Sequence, residues 1–99
     1  MIEIKKGERL IIRLSDRLDA TNAEAARERI VESINVIDTD VLIDVNDLKY
    51  ISSAGLQVVL HIAKEAKSAG RQTLLQGAKG EVWEIFKLSG FLTFLKEIK

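Results

Sequence analysis

Two adjacent serines, Ser52 and Ser53, are the residues of this sequence best placed to do chemistry, because they stand directly before the start of a helical pattern. A serine hydroxyl at a helix start can accept a hydrogen bond from an unpaired backbone N–H group of the first turn. The same position suits a phosphoryl group, since the N-terminus of a helix stabilises negative charge. Helix capping and covalent modification are therefore both open interpretations of this segment.

Phosphorylation of Ser53 would add a charge of about −1.5 to −2 at neutral pH. Asp16, Asp19, Asp44 and Asp47 are predicted on the same edge of the molecule as this serine. A partner that fits a neutral serine would have to bury a dianion among these carboxylates, which is costly. Modification is thus predicted to switch binding while leaving the fold intact.

A serine hydrolase is the weakest hypothesis for the same residues. Ser53 is followed by Ala54 and Gly55 as in half of a nucleophile elbow, but Ile51 occupies the position of the preceding glycine. The single histidine, His61, lies further along the same predicted helix, about 12 Å away at roughly 1.5 Å per residue, so it cannot activate the serine directly. No glycine precedes a Walker-type Gly-Lys-Ser/Thr sequence. The residues therefore favour neither serine hydrolase chemistry nor nucleotide binding.

The amino-acid composition bears on which binding partners and which metal sites are possible. The 99 residues are 46% hydrophobic and 30% charged, as expected for one folded domain over residues 1–99. Fifteen basic and fifteen acidic residues cancel, which gives no excess positive charge for nucleic acid. The absence of cysteine and the single histidine exclude thiolate and multi-histidine metal sites, and Asp16 and Asp19 are interpreted as capping, solvated residues. No signal sequence or membrane span is recognised, so we expect a cytoplasmic protein without membrane insertion.

Hydrophobic periodicity predicts the elements that position these residues. Alternation over 2–4 and 10–14 predicts a hairpin, and the apolar run 41–45 predicts a central, buried strand. Spacings of three and four over 21–37 predict a helix, capped by Asp19 or Thr21.

The second helical pattern follows Ser53 and ends at Gly70. Val58 and Ile62 lie beside its main stripe, where they could join the core or offer an apolar shoulder to a partner, and Tyr50 and Trp83 are likewise open between core and interface. The stripe predicted to face the core consists of Leu56, Val59, Leu60, Ala63 and Ala66.

The remaining chain predicts a strand within 71–76 and a short helix over 81–89 capped by Gly90, whereas 91–98 is the least clearly patterned. Alternation of strands and helices implies right-handed crossovers and parallel strands. The fold class is therefore α/β, a mixed sheet of four to five strands flanked by helices. The carboxyl ends of its strands should bring the loops 15–22 and 44–53 together at one edge.

Three segments together resemble the STAS domain of bacterial anti-sigma factor antagonists over nearly the whole chain: Leu18–Ala23, Val41–Val45 continuing to Tyr50–Leu56, and Gly70–Leu75. The resemblance implies a regulatory protein without enzymatic activity or cofactor, whose unmodified form binds a serine-kinase anti-sigma factor and frees a sigma factor for transcription. It implies that the kinase phosphorylates one serine, which releases the antagonist, and that a phosphatase reverses the modification.

Aligned on Gly55 and Leu56, the modified serine of the family corresponds to Ser53. The common family pattern is D-S-[ST]-G-L; here Ser52 replaces the aspartate and Ala54 the second hydroxyl residue, so Ser52 is the second candidate acceptor. We expect a monomer or weak dimer whose partner-binding surface comprises Asp16, Asp19, Thr21, Asn22, Asn46, Ser52, Ser53, Ala54, Gly55, Leu56 and Gln57. The alternative is a constitutive STAS subunit of a stress-signalling complex or a lipid-transport ATPase.

Overall fold

The computed structural model describes residues 2–34 and 38–98, and within them a five-stranded sheet in the order β1-β2-β3-β4-β5 combines with three α-helices. β1 pairs antiparallel with β2, and every other neighbouring pair is parallel, so the predicted mixed α/β sheet is confirmed. The elements are β1 (Ile2–Lys6), β2 (Leu10–Leu18), α1 (Ala23–Ile34), β3 (Val41–Ile51), α2 (Ser53–Ser68), β4 (Thr73–Gln76), α3 (Gly80–Leu88), a 3-10 turn (Phe91–Thr93) and β5 (Lys96–Ile98).

One hydrophobic core joins the sheet to all three helices. The predicted hairpin and the central position of β3 are confirmed. Gly70 and Gly90 follow α2 and α3 with left-handed φ angles of 75° and 77°, a conformation that glycine adopts without steric cost. Ile37, which the sequence assigned to α1, lies outside the described residues. Fully buried members of the core include Ile12, Leu14, Ile30, Ile43, Ile62, Leu75 and Phe86.

The prediction of two loops at the edge of the sheet was wrong in its boundaries. β2 extends to Leu18 and β3 to Ile51, so half of 15–22 and most of 44–53 are strand. Polar residues break the apolar alternation there, yet the parallel pairing continues through register shifts between Arg13 and Ser15 and between Asp16 and Arg17. A bulge inserts a residue without ending the strand, which hides the strand from periodicity analysis.

The core stripe of α2 also differs from the prediction. Val58, Val59, Ile62, Ala63 and Ala66 are buried, together with Gly55. Leu56 and Leu60, by contrast, are only half-buried. Val58 and Ile62 therefore belong to the core and are not an apolar shoulder for a partner. The helix is rotated about its axis relative to the prediction, because the glycine side of its first turn faces β2.

Thr73 is a buried polar residue at the start of β4, with 4% of its surface exposed. Among the buried side-chain oxygens and nitrogens of the described residues, its Oγ1 is the one without a hydrogen-bond partner. A buried hydroxyl without a partner lowers stability, because its hydration is lost and not replaced.

We therefore expect Thr73→Val to raise the free energy of unfolding by about 1 kcal/mol, since a methyl group replaces the unpaired hydroxyl at similar volume. Urea denaturation of both proteins measures the difference. A loss of stability would contradict this account and would mean that the hydroxyl has a partner in solution.

Candidate functional site

The structure places Ser52 and Ser53 in different environments, and only Ser52 caps the helix. Ser52 is the N-cap of α2, with extended backbone angles, and its Oγ accepts a hydrogen bond from the Gly55 N–H at 3.2 Å. Ser53 is the first residue of the helix, and its side chain is exposed. Capping therefore occupies the hydroxyl of Ser52, whereas the hydroxyl of Ser53 lies at the surface of the helix N-terminus.

Gly55 fixes where this helix begins relative to the sheet. The Ser52 N–H donates to the Leu18 carbonyl at 2.9 Å, which joins the start of α2 to the end of β2. A Cβ on Gly55 would stand 2.6 Å from that carbonyl oxygen and 2.8 Å from Cγ1 of Ile51. Only a residue without a side chain permits this approach, so Gly55 is a structural residue of the site.

The turn between β2 and α1 is organised by Asp19. Its Oδ1 accepts from the Thr21 N–H at 3.0 Å and from the Thr21 hydroxyl at 2.6 Å. The Asp19 N–H donates to Asn22 Oδ1 at 2.9 Å, and Asn22 Nδ2 donates to the Arg17 carbonyl at 2.8 Å. Asp19 makes the hydrogen bonds of a helix cap: its side chain accepts from the Thr21 N–H, and its carbonyl accepts at 2.9 Å from the N–H of Ala23, the first residue of α1.

Hydrogen bonds within this turn stabilise the ionised form of Asp19. The hydrogen bonds from the Thr21 hydroxyl and N–H, and then that from Arg17, hold the pKa of Asp19 below its ordinary value. Arg17 Nε donates to Asp19 Oδ2 at 3.2 Å, and the guanidinium lies 4.6 Å from the centre of the Tyr50 ring. Tyr50 is therefore a surface residue that positions Arg17 through a cation–π contact.

Asp44 is not part of the exposed edge, contrary to the prediction. It is buried in β3, where it accepts from Arg13 Nε at 3.3 Å and from the Asn46 N–H and Nδ2 at 3.0 and 2.9 Å. Burial raises the pKa of Asp44, but the hydrogen bonds from Asn46 and Arg13 outweigh it, so the pKa lies below its ordinary value. Asp44 orients the amide of Asn46.

Asp16 and Asn46, both exposed, line one cleft of about 440 Å³ together with Asp47 and Lys79. Asp16 has a φ angle of 61°, which is uncommon for a residue with a side chain and accompanies the adjacent register shift. Sequence reasoning missed Lys79. The residues after β4 reach the same edge as those after β2 and β3, so the rule for parallel strands would have included it.

Ala54 and Gln57, on the first turns of α2, line a second groove, of about 430 Å³, against α1. Arg27 of α1 and the half-buried His61 also line it, and neither was predicted at the site. The amphipathic patterns of the two helices gave no indication of how they pack together. Ser53 and His61 share the straight helix α2, so their separation along its axis is about 12 Å, too far for a direct hydrogen bond.

The predicted surface therefore falls into three neighbouring groups. Thr21 and Asn22 belong with Asp19 in the turn; Asp16 and Asn46 share the cleft; Ser52 to Gln57 form the first turns of α2. Residues 2–34 and 38–98 contain no group of three or more His, Cys, Asp or Glu side chains that could hold a metal ion. None of the described helices is both long and apolar enough to cross a membrane.

Comparisons with known proteins agree with the family resemblance of the sequence. The sequence model of the STAS domain family matches residues 1–99. The chain is 36% identical over 84 residues to a Bordetella bronchiseptica protein named "Putative anti-sigma factor antagonist BtrV", covering 85% of this chain and 72% of that protein.

Two solved structures share the fold. The anti-sigma factor antagonist SpoIIAA in its unphosphorylated form matches with a TM-score of 0.78 and 19% identity, covering 100% of this chain and 88% of that one. The Bacillus cell fate determinant SpoIIAA in its phosphorylated form matches with a TM-score of 0.77 and 20% identity, covering 100% and 92%.

We expect Gly55→Ala to lower the free energy of unfolding by about 1–3 kcal/mol, because the added methyl group must push α2 away from the Leu18 carbonyl. Gly7→Ala is the matched control, since a Cβ there meets nothing closer than 3.9 Å. Urea denaturation measures both variants, and equal stabilities would contradict the close approach of helix and strand.

Because the pKa of Asp44 is lowered in the folded state, its ionised form stabilises the fold above the unfolded-state pKa of about 3.9. This contribution is lost as the pH falls through the folded-state pKa. Wild-type protein should therefore keep its stability advantage over Asp44→Asn from neutral pH down to about pH 5 and lose it progressively as the pH falls below about 3.9. Thermal unfolding of both proteins across that range is the measurement, and a constant difference would disagree with the expected titration.

Proposed function

This chain belongs to the STAS domain family of bacterial anti-sigma factor antagonists, and from that premise we propose that it binds a serine-kinase anti-sigma factor, frees a sigma factor, and is switched off by phosphorylation of Ser53. The observation that carries the proposal is the difference between the two serine hydroxyls at the start of α2. Ser52 is held by its capping hydrogen bond, and Ser53 is exposed next to it. A kinase can therefore reach the second hydroxyl without disturbing the cap.

The replacement of the family's usual aspartate by Ser52 is compatible with this function. Aspartate and serine are both favoured N-cap residues, because each offers a short side-chain oxygen to the first turn. Ser52 provides that oxygen to the Gly55 N–H here. The substitution preserves the cap and changes the charge beside the phosphorylation site, so it bears on which kinase recognises the protein.

Phosphorylation would change the docking surface more than the fold. The phosphoryl oxygens would face the N-terminus of α2, whose unpaired N–H groups and dipole stabilise negative charge. Beside them the groove lined by Ala54 and Gln57 offers a partner a recessed surface. A partner seated there against a neutral Ser53 would have to desolvate about two negative charges after modification. Release of the partner follows, and an exposed phosphoserine remains accessible to a phosphatase.

We expect Ser53→Asp to weaken binding to the anti-sigma factor kinase recovered from cell extract by about tenfold or more, through charge at the interface. Ser53→Asn is the matched control, because it has nearly the same size without the charge, and it should bind within about threefold of wild type. Isothermal titration calorimetry gives the affinities. Thermal melting should place all three proteins at nearly the same midpoint, and equal affinities of the two variants would contradict a charge-driven switch.

Incubation with that kinase and ATP should add one phosphoryl group, which mass spectrometry of the proteolytic peptides should map to Ser53. Ser52→Ala should remain a substrate while losing about 1 kcal/mol of stability with its cap. The absence of any phosphoryl adduct on wild-type protein would favour the constitutive assembly subunit instead.

A further inference from the structure

A third recessed surface lies between the C-terminal half of α2 and the segment that leads into β5. It is an open groove of about 470 Å³. Lys64 and Lys67 of α2, Arg71 of the following turn and Lys96 of β5 line it, and all four side chains are exposed. Residues 64 and 67 are one helical turn apart, so they project from the same face of α2.

The groove concentrates positive charge in a chain whose net charge is zero. Its lining includes no acidic residue. In the ranges 2–34 and 38–98 none of its four basic side chains makes an ion pair. The nearby Asp40 carboxylate accepts a hydrogen bond from the Gln72 N–H at 3.1 Å, and among the described residues it makes no ion pair with these basic side chains. The C-terminal dipole of α2 favours a cation in its last turn, but it does not account for Lys96 on a different element.

The same groove has an apolar wall and an unpaired polar group. Phe94 lines it with half of its surface exposed, beside the buried Leu95 and Ala63. Thr73 also lines it, and its buried hydroxyl has no hydrogen-bond partner among the described residues. An exposed aromatic side chain in a groove that basic side chains also line suits an occupant that combines negative charge with an apolar side chain.

This groove and Ser53 lie towards opposite ends of the sheet. Thr73 pairs with Val41, the first residue of β3, whereas Ser53 follows Ile51, its last residue. At roughly 3.3 Å per residue the two ends of β3 are on the order of 30 Å apart. Lys64 lines both this groove and the groove beside Ser53, whereas Lys67, Arg71 and Lys96 line only the former of the two. An occupant held by those three side chains therefore contacts different residues from a partner bound at the serine.

We propose that this groove binds an acidic peptide segment of a second protein partner, with carboxylates on Lys67, Arg71 and Lys96 and an apolar side chain against Phe94. The protein would then hold two partners at once, one at each end of its sheet.

The test uses a fluorescein-labelled synthetic peptide in which glutamates flank a single phenylalanine, titrated with the full chain and followed by fluorescence anisotropy. Lys67→Glu combined with Arg71→Glu should weaken binding by about tenfold or more, and Phe94→Ser by about fivefold. Lys5→Glu combined with Lys6→Glu, on β1 at the other edge of the sheet, makes the same change in net charge and should change affinity less than about twofold.

Titration of isotope-labelled wild-type protein with the unlabelled peptide gives a readout that needs no variant. Amide chemical shifts should move for Thr73 and for residues 93–96 while those around Ser53 stay unchanged. Shifts centred on Ser53, equal losses for the two charge-reversal variants, or tighter binding to anionic phospholipid vesicles than to the peptide would each overturn the proposal. Addition of the anti-sigma factor kinase should leave the peptide affinity unchanged, which separates this site from the proposed serine switch.

Discussion

The close approach of Gly55 to the Leu18 carbonyl is the constraint on which the site depends. The absence of a side chain brings the first turn of α2 against the end of β2, and the Ser52 N–H closes the contact at 2.9 Å. That contact fixes the rotation of the helix and decides which side chains of its first turn are covered. Ser53 is exposed because the glycine face is turned inward, so the accessibility of the hydroxyl follows from a packing requirement two residues away.

The extended pairing of β2 with β3 builds the rest of the edge. Two register shifts let the strands stay paired as far as Leu18 and Ile51, although the residues between them are mostly polar. Asp44 is satisfied inside this pairing by Arg13 and Asn46, which converts a carboxylate of the predicted acidic edge into an internal support. Asp16 and Asn46 are therefore presented from strands, whose positions are better defined than those of loops.

Periodicity predicted the hairpin, the central strand, the helix after Ser53 and the glycines that end two helices, because each of these depends on local spacing. It could not locate the ends of β2 and β3, since backbone pairing through bulges leaves no apolar alternation to detect. Periodicity also placed Leu56 and Leu60 on the core face of α2, although both are half-buried. The rotation of that helix is set by the packing of Gly55 against β2, which the sequence pattern does not show. The contact between Arg17 and Tyr50 depends on the register of β2 and β3, which the sequence does not indicate. Lys79, by contrast, could have been predicted at the site, because the carboxyl ends of parallel strands meet at one edge of the sheet.

β5 is only three residues long and begins with Lys96 and Glu97, both exposed. A short strand with charged side chains is a poor template for the addition of another strand, because few backbone groups are offered and the charges resist stacking. Self-templated growth into fibrils is discouraged at this border of the sheet. Such an edge also limits the pairing of this chain with further copies of itself through backbone hydrogen bonds.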